Sequence, residues 1–533
     1  MPGLVIRNGT ILDGAGNPWF KSDLEIKGER ISRIGRSSSL RGKVIDASGL
    51  FVAPGFIDIH SHSDFCVLAN PKAESMVHQG VTTEVFPNCG TGPAPVKGAA
   101  VELIKDDLKQ FGLKLNWETM AQYMKRLEKQ GIALNVALLI PHGTVRACVM
   151  GFDARKPTEK EMGEMKRLVE QCMREGAFGM CTGLRYVPGS YAELEEVVEL
   201  LKVVGKYGGF YASHVRDEGD RGTYPAAIAE AVEIGEKAAV PVEISHVKAL
   251  GRRAWGKAKD ALKILEDARK RDVDVTGEMY PYNASGTGFM AWIPKWSHEG
   301  GFDKFVQRLK DREIRNKIME ETRAVLDDRG GPDKAVLTRF APKPEYEGKT
   351  LQEISAMRSK DPVETIMELI VEGRGETPVV NFNMQDDDVN LVMKHPAIMF
   401  GTDGYALAPY GVLSKGKPHP RSYGTYPRVL KKYVREDKLL TIENAIRKMT
   451  SQPAQKLGLQ DRGLLKEGMY ADIVVFDPET VADRATFTEP HKYPDGIPYV
   501  IVNGKIVIEK GKHTSALPGK VLRKTYTKTK STS

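Results

Sequence analysis

Apolar and polar positions fall into two alternating rhythms along this chain. Short, mostly apolar runs are FVAPGFIDIH, VTTEVFP, ALNVALLIP, AFGMCTGL, GFYASHV, PVEISHV, DVDVTGEMYPY, TPVVNFNM and AIMFGTDG. Between them lie longer stretches in which apolar residues recur every three or four positions, as in AELEEVVELLKVV and TIENAIRKM. The first pattern predicts buried strands and the second amphipathic helices. Their alternation predicts a parallel sheet with crossover helices, and eight or nine such units fit an α/β fold of the (β/α)8 barrel type. A doubly wound open sheet is the alternative, although no GxGxxG follows the first strand.

The two chain ends read differently. LVIRNGTIL and YVIVNGKIVI each place Asn-Gly between apolar runs, at Asn8-Gly9 and Asn503-Gly504, and DLEIKGERISRIG repeats the idea around Gly28. Asn-Gly between alternating apolar residues is a strong hairpin signal. These hairpins predict a small β-sandwich domain shared by residues 1–54 and 458–533, with the barrel over 55–457. The rhythm breaks after Tyr282, which marks an inserted helical segment of about 285–349. Within it, Phe302 to Leu326 reads as one charged helix carrying Phe302, Phe305, Val306 and Leu309 on one face.

Composition narrows the class. Hydrophobic residues make up 41% of 533 and charged ones 28%, which supports a folded core. No apolar run approaches the roughly 20 residues of a membrane span. The amino terminus lacks a basic region followed by an apolar stretch, so a cytoplasmic protein is expected. Five cysteines, without a CxxC pair, argue against a disulfide framework. Much of the net charge of +8 sits at Lys520, Arg523, Lys524, Lys528 and Lys530, among Ser and Thr. That pattern predicts a solvated tail, and neither a nucleic-acid nor a membrane partner is expected.

The chemistry collects at strand ends. His60 and His62 in IDIHSHSD are two apart, so a strand turns both imidazoles to one side. His214 ends GFYASHV, His246 follows PVEIS, and Asp403 ends AIMFGTD. At the carboxyl ends of barrel strands these residues would line the mouth, and imidazole with carboxylate is a donor set that zinc accepts. Cys89, in EVFPNCGTG, stands at another strand exit and reads either as a buried small hydrophobe or as a ligand. Cys181 is the rival thiol and reads as core. The triplet Asp386, Asp387 and Asp388 reads as an exposed acidic turn.

PGFIDIHSHSD, PNCG, TGLRYVPG, SHVRDEG, ISHVK, YPY, GTDG and HPRSYGTYPRVL, followed by RKMTSQPAQKLGL, DRGLL and ADIVVFDP, together resemble the N-acyl-D-amino-acid deacylase (D-aminoacylase) family of the amidohydrolase superfamily. The resemblance runs nearly end to end and weakens only in the insertion and the tail. It implies a metal-dependent barrel with a small β-domain, and hydrolysis of N-acyl-D-amino acids. Most dinuclear amidohydrolases bridge two metals with a carboxylated lysine on the fourth strand, but AFGMCTGL offers none. The resemblance implies Cys89 in its stead, joining His214 and His246 on one tight zinc, with His60 and His62 facing a second, weaker position. It makes Asp403 the proton carrier. For the substrate's α-carboxylate the chain offers Lys248 and Arg421, and the resemblance adds Tyr186 and Tyr280. A cyclic-amide hydrolase of the hydantoinase or dihydroorotase kind, and a metal-free scaffold, are the rival readings. Small-molecule substrates are the expected partners.

Overall fold

A computed structural model describes residues 3–37 and 42–525. Eight strands form one parallel sheet in sequence order: β1 (Phe56–Asp58), β2 (Val81–Phe86), β3 (Asn135–Pro141), β4 (Gly179–Gly183), β5 (Phe210–His214), β6 (Val242–Ile244), β7 (Val275–Met279) and β8 (Ile398–Phe400). Each strand is buried on both faces, as expected where helices cover a parallel sheet. Alternate residues separate two cores. Ala137 and Leu139 of β3, Cys181 of β4 and Met399 of β8 join one cluster with Ile57 and Val85. Leu138, Ile140, Met180, Ile398 and Phe400 face the larger cluster beneath the helices. A one-residue slip in any strand would exchange the two sets.

The barrel closes beyond its strand ends. Ser61 bridges Gly404 in parallel register, the Asp403 amide donates to the His60 carbonyl at 2.8 Å, and the His62 amide donates to the Gly404 carbonyl at 2.8 Å. The closing seam thereby carries His60, His62 and Asp403. Helix starts follow local chemistry: Thr158 caps the helix Glu159–Glu175 while Glu161 reaches back, and Gly176 ends it at φ 112°.

Both chain ends build a nine-stranded sheet. Phe51–Pro54 pairs in parallel with Leu4–Ile11 and antiparallel with Ile473–Phe476, which ties the two ends together. Ile473 and Val475 face this sheet's own core, whereas Val474 and Phe476 face the barrel's. Gly55 is the joint to β1, since a Cβ there would lie 2.2 Å from Thr82.

Several sequence expectations change. Asn8-Gly9 is not a hairpin turn: Leu4–Ile11 is one strand, with a register shift between Ile6 and Gly9 and Asn8 at φ 59°. The side chains of Asp23 and Asp46 hold Asn8 there, so the signal became a bulge. TPVVNFNM adds no barrel strand. Pro378–Asn381 pairs antiparallel with Ser285–Gly288 and with Ala335–Leu337. The insertion therefore runs past residue 349, to about Asn381, around a core of its own that includes Trp292, Phe305, Leu337, Ile366 and Val379. Its charged helix is two, Phe302–Arg308 and Arg312–Asp328, because Asp311 caps the second. Asp386–Lys394 is a helix rather than an acidic turn, and buried Asp388 accepts from the Gly256 amide at 2.7 Å. The tail is not free as far as Lys524: Val521 bridges Val136, and Lys520 pairs with Glu29. Lys528 and Lys530 lie outside the described residues.

Candidate metal centre

Six strand ends deliver the site. His60 and His62 leave β1, Cys89 lies in the turn after β2, His214 ends β5, His246 follows β6, Tyr280 follows β7 and Asp403 follows β8. Three of these residues hold left-handed backbone, with φ of 54° at Cys89, 34° at His246 and 47° at Asp403. Such conformations cost non-glycine residues about 1–3 kcal/mol each and persist where surrounding structure enforces them. Here they aim three side chains at one point.

That point is the Cys89 sulfur. His214 Nδ1 lies 3.3 Å from Sγ, His60 Nε2 3.5 Å and His246 Nε2 3.6 Å. One ligand atom each from His60, Cys89, His246 and Asp403 fall within 4.8 Å of one another, and His214, Glu218 and His246 form a second such group. The thiol therefore sits between the expected ligand sets, next to His60 as well as to His214 and His246. His62 belongs to neither group; its Nε2 bonds Asp403 Oδ1 at 3.0 Å. Cys181 points into the barrel core and donates to the Pro87 carbonyl. His142 turns to Glu196. Thiol, imidazole and carboxylate converging in a buried place form a donor set that fits a divalent transition metal.

The wider comparison agrees. The amidohydrolase family model matches residues 43–508. The chain is 36% identical to a D-aminoacylase of Alcaligenes xylosoxydans xylosoxydans, covering 98% of both chains. It is also 36% identical to an N-acyl-D-glutamate deacylase of the same organism, over 98% of this chain and 96% of that one. The crystal structure of the N-acyl-D-glutamate deacylase from Bordetella bronchiseptica, complexed with zinc and a phosphonate mimic of the tetrahedral intermediate, superimposes with a TM-score of 0.82 at 32% identity, covering 98% of this chain and 99% of that one. The chain belongs to the D-aminoacylase family of amidohydrolases.

The charges of this D-aminoacylase-family site are paired by carboxylates that the sequence reading did not single out. Glu278 holds His60 Nδ1 at 2.7 Å. Glu218 lies 3.1 Å from His246 Nδ1, 3.6 Å from His214 Nε2 and 2.5 Å from Lys248 Nζ. Carboxylates behind ligand imidazoles fix ring orientation and raise basicity. Both left a sequence signal: Glu278 is an acid at the end of a buried run, and Glu218 follows His214 by four. Among the substrate-binding candidates, Arg421 Nη1 pairs with Asp403 Oδ2 at 2.7 Å and its guanidinium covers the Tyr280 ring at 4.7 Å. Lys248 Nζ lies 5.6 Å from the same ring. The Tyr280 hydroxyl is buried without a partner among the described residues. Tyr186 stands apart from this group, its ring 4.7 Å from His214 and its hydroxyl 3.4 Å from Thr287 Oγ1.

Protonation follows burial and partners. Burial pushes the Cys89 thiol well above its ordinary range, with Asp403 adding to it, so deprotonation calls for a cation. Burial holds His214 well below its usual value, against the pull of Glu218, which leaves a neutral imidazole suited to ligation. Burial opposes charge on His60 too, but Glu278 outweighs it and lifts that imidazole. Burial would raise Asp403; Arg421, the His62 hydrogen bond and the neighbouring imidazoles overcome it and keep the carboxyl well below its ordinary range.

Proposed function

We propose that this chain is a zinc-dependent N-acyl-D-amino-acid deacylase, which cleaves the amide of an N-acyl-D-amino acid to a carboxylate and a free D-amino acid. The observation that carries the reading is a thiol ringed by three imidazoles at the carboxyl ends of the barrel strands, with Asp403 beside it. Cys89, His214 and His246 would hold a tight zinc, and His60 and His62 would face a second, weaker position. Bound zinc polarises a carbonyl and lowers the pKa of water toward 7. Asp403 takes the proton of the attacking water on its carboxylate and returns it to the departing nitrogen. Arg421 and Lys248 grip the α-carboxylate, Arg421 through parallel hydrogen bonds. The Tyr280 hydroxyl, unpartnered and on a ring that both cations cover, completes that clamp, and Tyr186 borders the substrate beside His214.

The reading goes with a barrel over 55–457, a small β-domain from 1–54 with 458–533, and a cytoplasmic enzyme whose five cysteines stay reduced. No helix among the described residues is long and apolar enough to cross a membrane. The test is metal content together with hydrolysis of N-acetyl-D- and N-acetyl-L-methionine, on wild type and Cys89→Ala. Bound zinc, cleavage of the D series alone, and loss of both on removing the thiol are expected. Zinc retained by Cys89→Ala would reject the thiol as a ligand, and an enzyme that cuts neither enantiomer would reject the substrate class.

A further inference from the structure

The helix that carries Arg421 begins in the triplet HPR, whose histidine has no place in the metal centre. Pro420 closes the loop after β8 at φ −61°, and the helix Arg421–Arg428 follows. His419, buried beside it, spends both ring nitrogens on backbone. Its Nδ1 accepts from the Arg421 amide at 3.1 Å, and its Nε2 donates to the Ala284 carbonyl at 3.0 Å. An amide only donates and a carbonyl only accepts, so the ring is the neutral tautomer protonated on Nε2. Burial, with the Arg421 charge adding to it, holds this imidazole well below its usual range and keeps it in that form.

The anchor at Ala284 matters because of its neighbours. It lies between Tyr280 and Gly286 on the segment that leaves β7, and these two residues wall the Arg421 guanidinium. The guanidinium covers the Tyr280 ring at 4.7 Å, and a Cβ on Gly286 would lie 3.3 Å from its Nη2. The two hydrogen bonds of His419 therefore tie the backbone origin of Arg421 to the same segment that encloses its tip. Aromatic edges hold His419 in turn: its ring meets Tyr280 at 5.9 Å, Tyr282 at 5.1 Å and Phe487 at 5.0 Å, each edge to face. Phe487 comes from the β-domain, on residues 477–498 between the strands Ile473–Phe476 and Tyr499–Val502. The same segment reaches the far end of the Arg421 helix, where Asp483 pairs with Arg428 at 3.2 Å.

We propose that His419 is the positioning residue of the α-carboxylate clamp, setting the Arg421 guanidinium for the substrate, and that Phe487 of the β-domain holds His419 in place. The proposal rests on the deacylase reading above. His419 acts through Arg421, and a misplacement of about 1 Å in such a group can cost about 100-fold in rate.

The test compares acetate release from N-acetyl-D-methionine and N-acetyl-D-methioninamide, which differ only at the α-carboxylate, on the pH plateau above the acid limb. Wild type is expected to favour the acid by about 10–100-fold in kcat/KM, the range for charge-assisted hydrogen bonds. His419→Ala should bring that ratio close to one through a higher KM for the acid, with the rate on the amide little changed, and Phe487→Ala should lower the ratio in the same direction. In an Arg421→Met background, where no guanidinium is left to position, neither substitution should reduce kcat/KM further. Zinc content and thermal midpoint check the fold of each variant; Phe487 is only half-buried, so its variant keeps the test decisive if His419→Ala does not fold. An acid preference that survives both substitutions, or losses that add to that of Arg421→Met, would overturn the positioning role. A wild-type ratio near one rejects the clamp and the proposal with it, whereas zinc-loaded wild type that cleaves no N-acyl-D compound rejects the deacylase reading as well.

Discussion

Replacing Arg421 by methionine separates two jobs that fall to one guanidinium. Its Nη1 lies 2.7 Å from Asp403 Oδ2 in a place only 5% exposed on the arginine side. Unit charges at that distance attract by about 6 kcal/mol at an effective dielectric near 20, and desolvation of both groups offsets much of it. A cation so close lowers a carboxyl pKa by about 1–3 units. Burial alone pushes Asp403 upward, so without Arg421 its pKa rises and its base form becomes scarcer in mild acid. The acid limb of the kcat/KM profile is therefore expected to move up by about 1–3 pH units. Separately, the substrate's α-carboxylate loses charge-assisted hydrogen bonds, which raises KM for N-acetyl-D-methionine by about 10–100-fold. Arg421→Lys restores a charge beside Asp403 without the planar fork, so the limb should return while KM stays high. The assay is a pH series of initial rates on zinc-loaded enzyme. An acid limb at the wild-type position together with an unchanged KM in Arg421→Met would refute both jobs.

Three further outcomes are expected. Asp403→Asn should keep its zinc by elemental analysis and lose about 10²–10⁴-fold in kcat, and a near wild-type rate would remove Asp403 from proton transfer. Glu218→Gln strips the carboxylate from behind His214 and His246 and leaves Lys248 buried beside a neutral amide; chelator competition should show zinc bound about 10–100-fold more weakly, and an unchanged affinity would count against this support. Burial raises Glu84 from 4.5 to about 8, so the folded chain holds a proton that the unfolded chain has released. That stabilisation is complete below about pH 4.5 and disappears as pH rises through about 8. Thermal melts of Glu84→Gln, always neutral, should fall less than wild type from about pH 5 to about pH 9, and parallel curves would contradict the assignment.

Much of this architecture is written locally, and that part was legible. Each barrel strand is a short run whose neighbours in sequence are its neighbours in the sheet, so counting runs nearly counts strands. The exception, TPVVNFNM, has the same composition as a barrel strand; only its antiparallel partners at Ser285–Gly288 and Ala335–Leu337 distinguish it, and pairing is not a local property. Asn8-Gly9 failed for a similar reason. A hairpin was expected there, but whether Asn-Gly makes a turn or a bulge depends on partners such as Asp23 and Asp46, which are distant in sequence. In the site, histidines at strand exits stood out because imidazole is rare and the strand period fixes its direction. Glu218 and Glu278 did not, since acids are common and their meaning comes from the imidazoles they hold. The shared pairing at Asp220 was invisible for the same reason, as Arg185 and Arg329 meet only in three dimensions.

The absent lysine on β4 and the thiol after β2 are two sides of one packing decision. Gly183 ends β4 where its backbone meets the Cys89 turn: a Cβ on Gly183 would lie 2.0 Å from the Cys89 carbonyl oxygen, and one on Gly90 2.4 Å from the Gly183 nitrogen. No side chain, and least of all a lysine, can leave β4 at that position without displacing the turn. The same contact presses Cys89 and Gly90 into left-handed backbone, at φ 54° and 78°, which turns the sulfur inward among His60, His214 and His246. A short thiol reaches the centre from the turn itself, where a long amine would have to cross the mouth from the barrel wall. One close backbone contact thus leaves β4 without a side chain at Gly183 and sets the Cys89 thiol among the imidazoles.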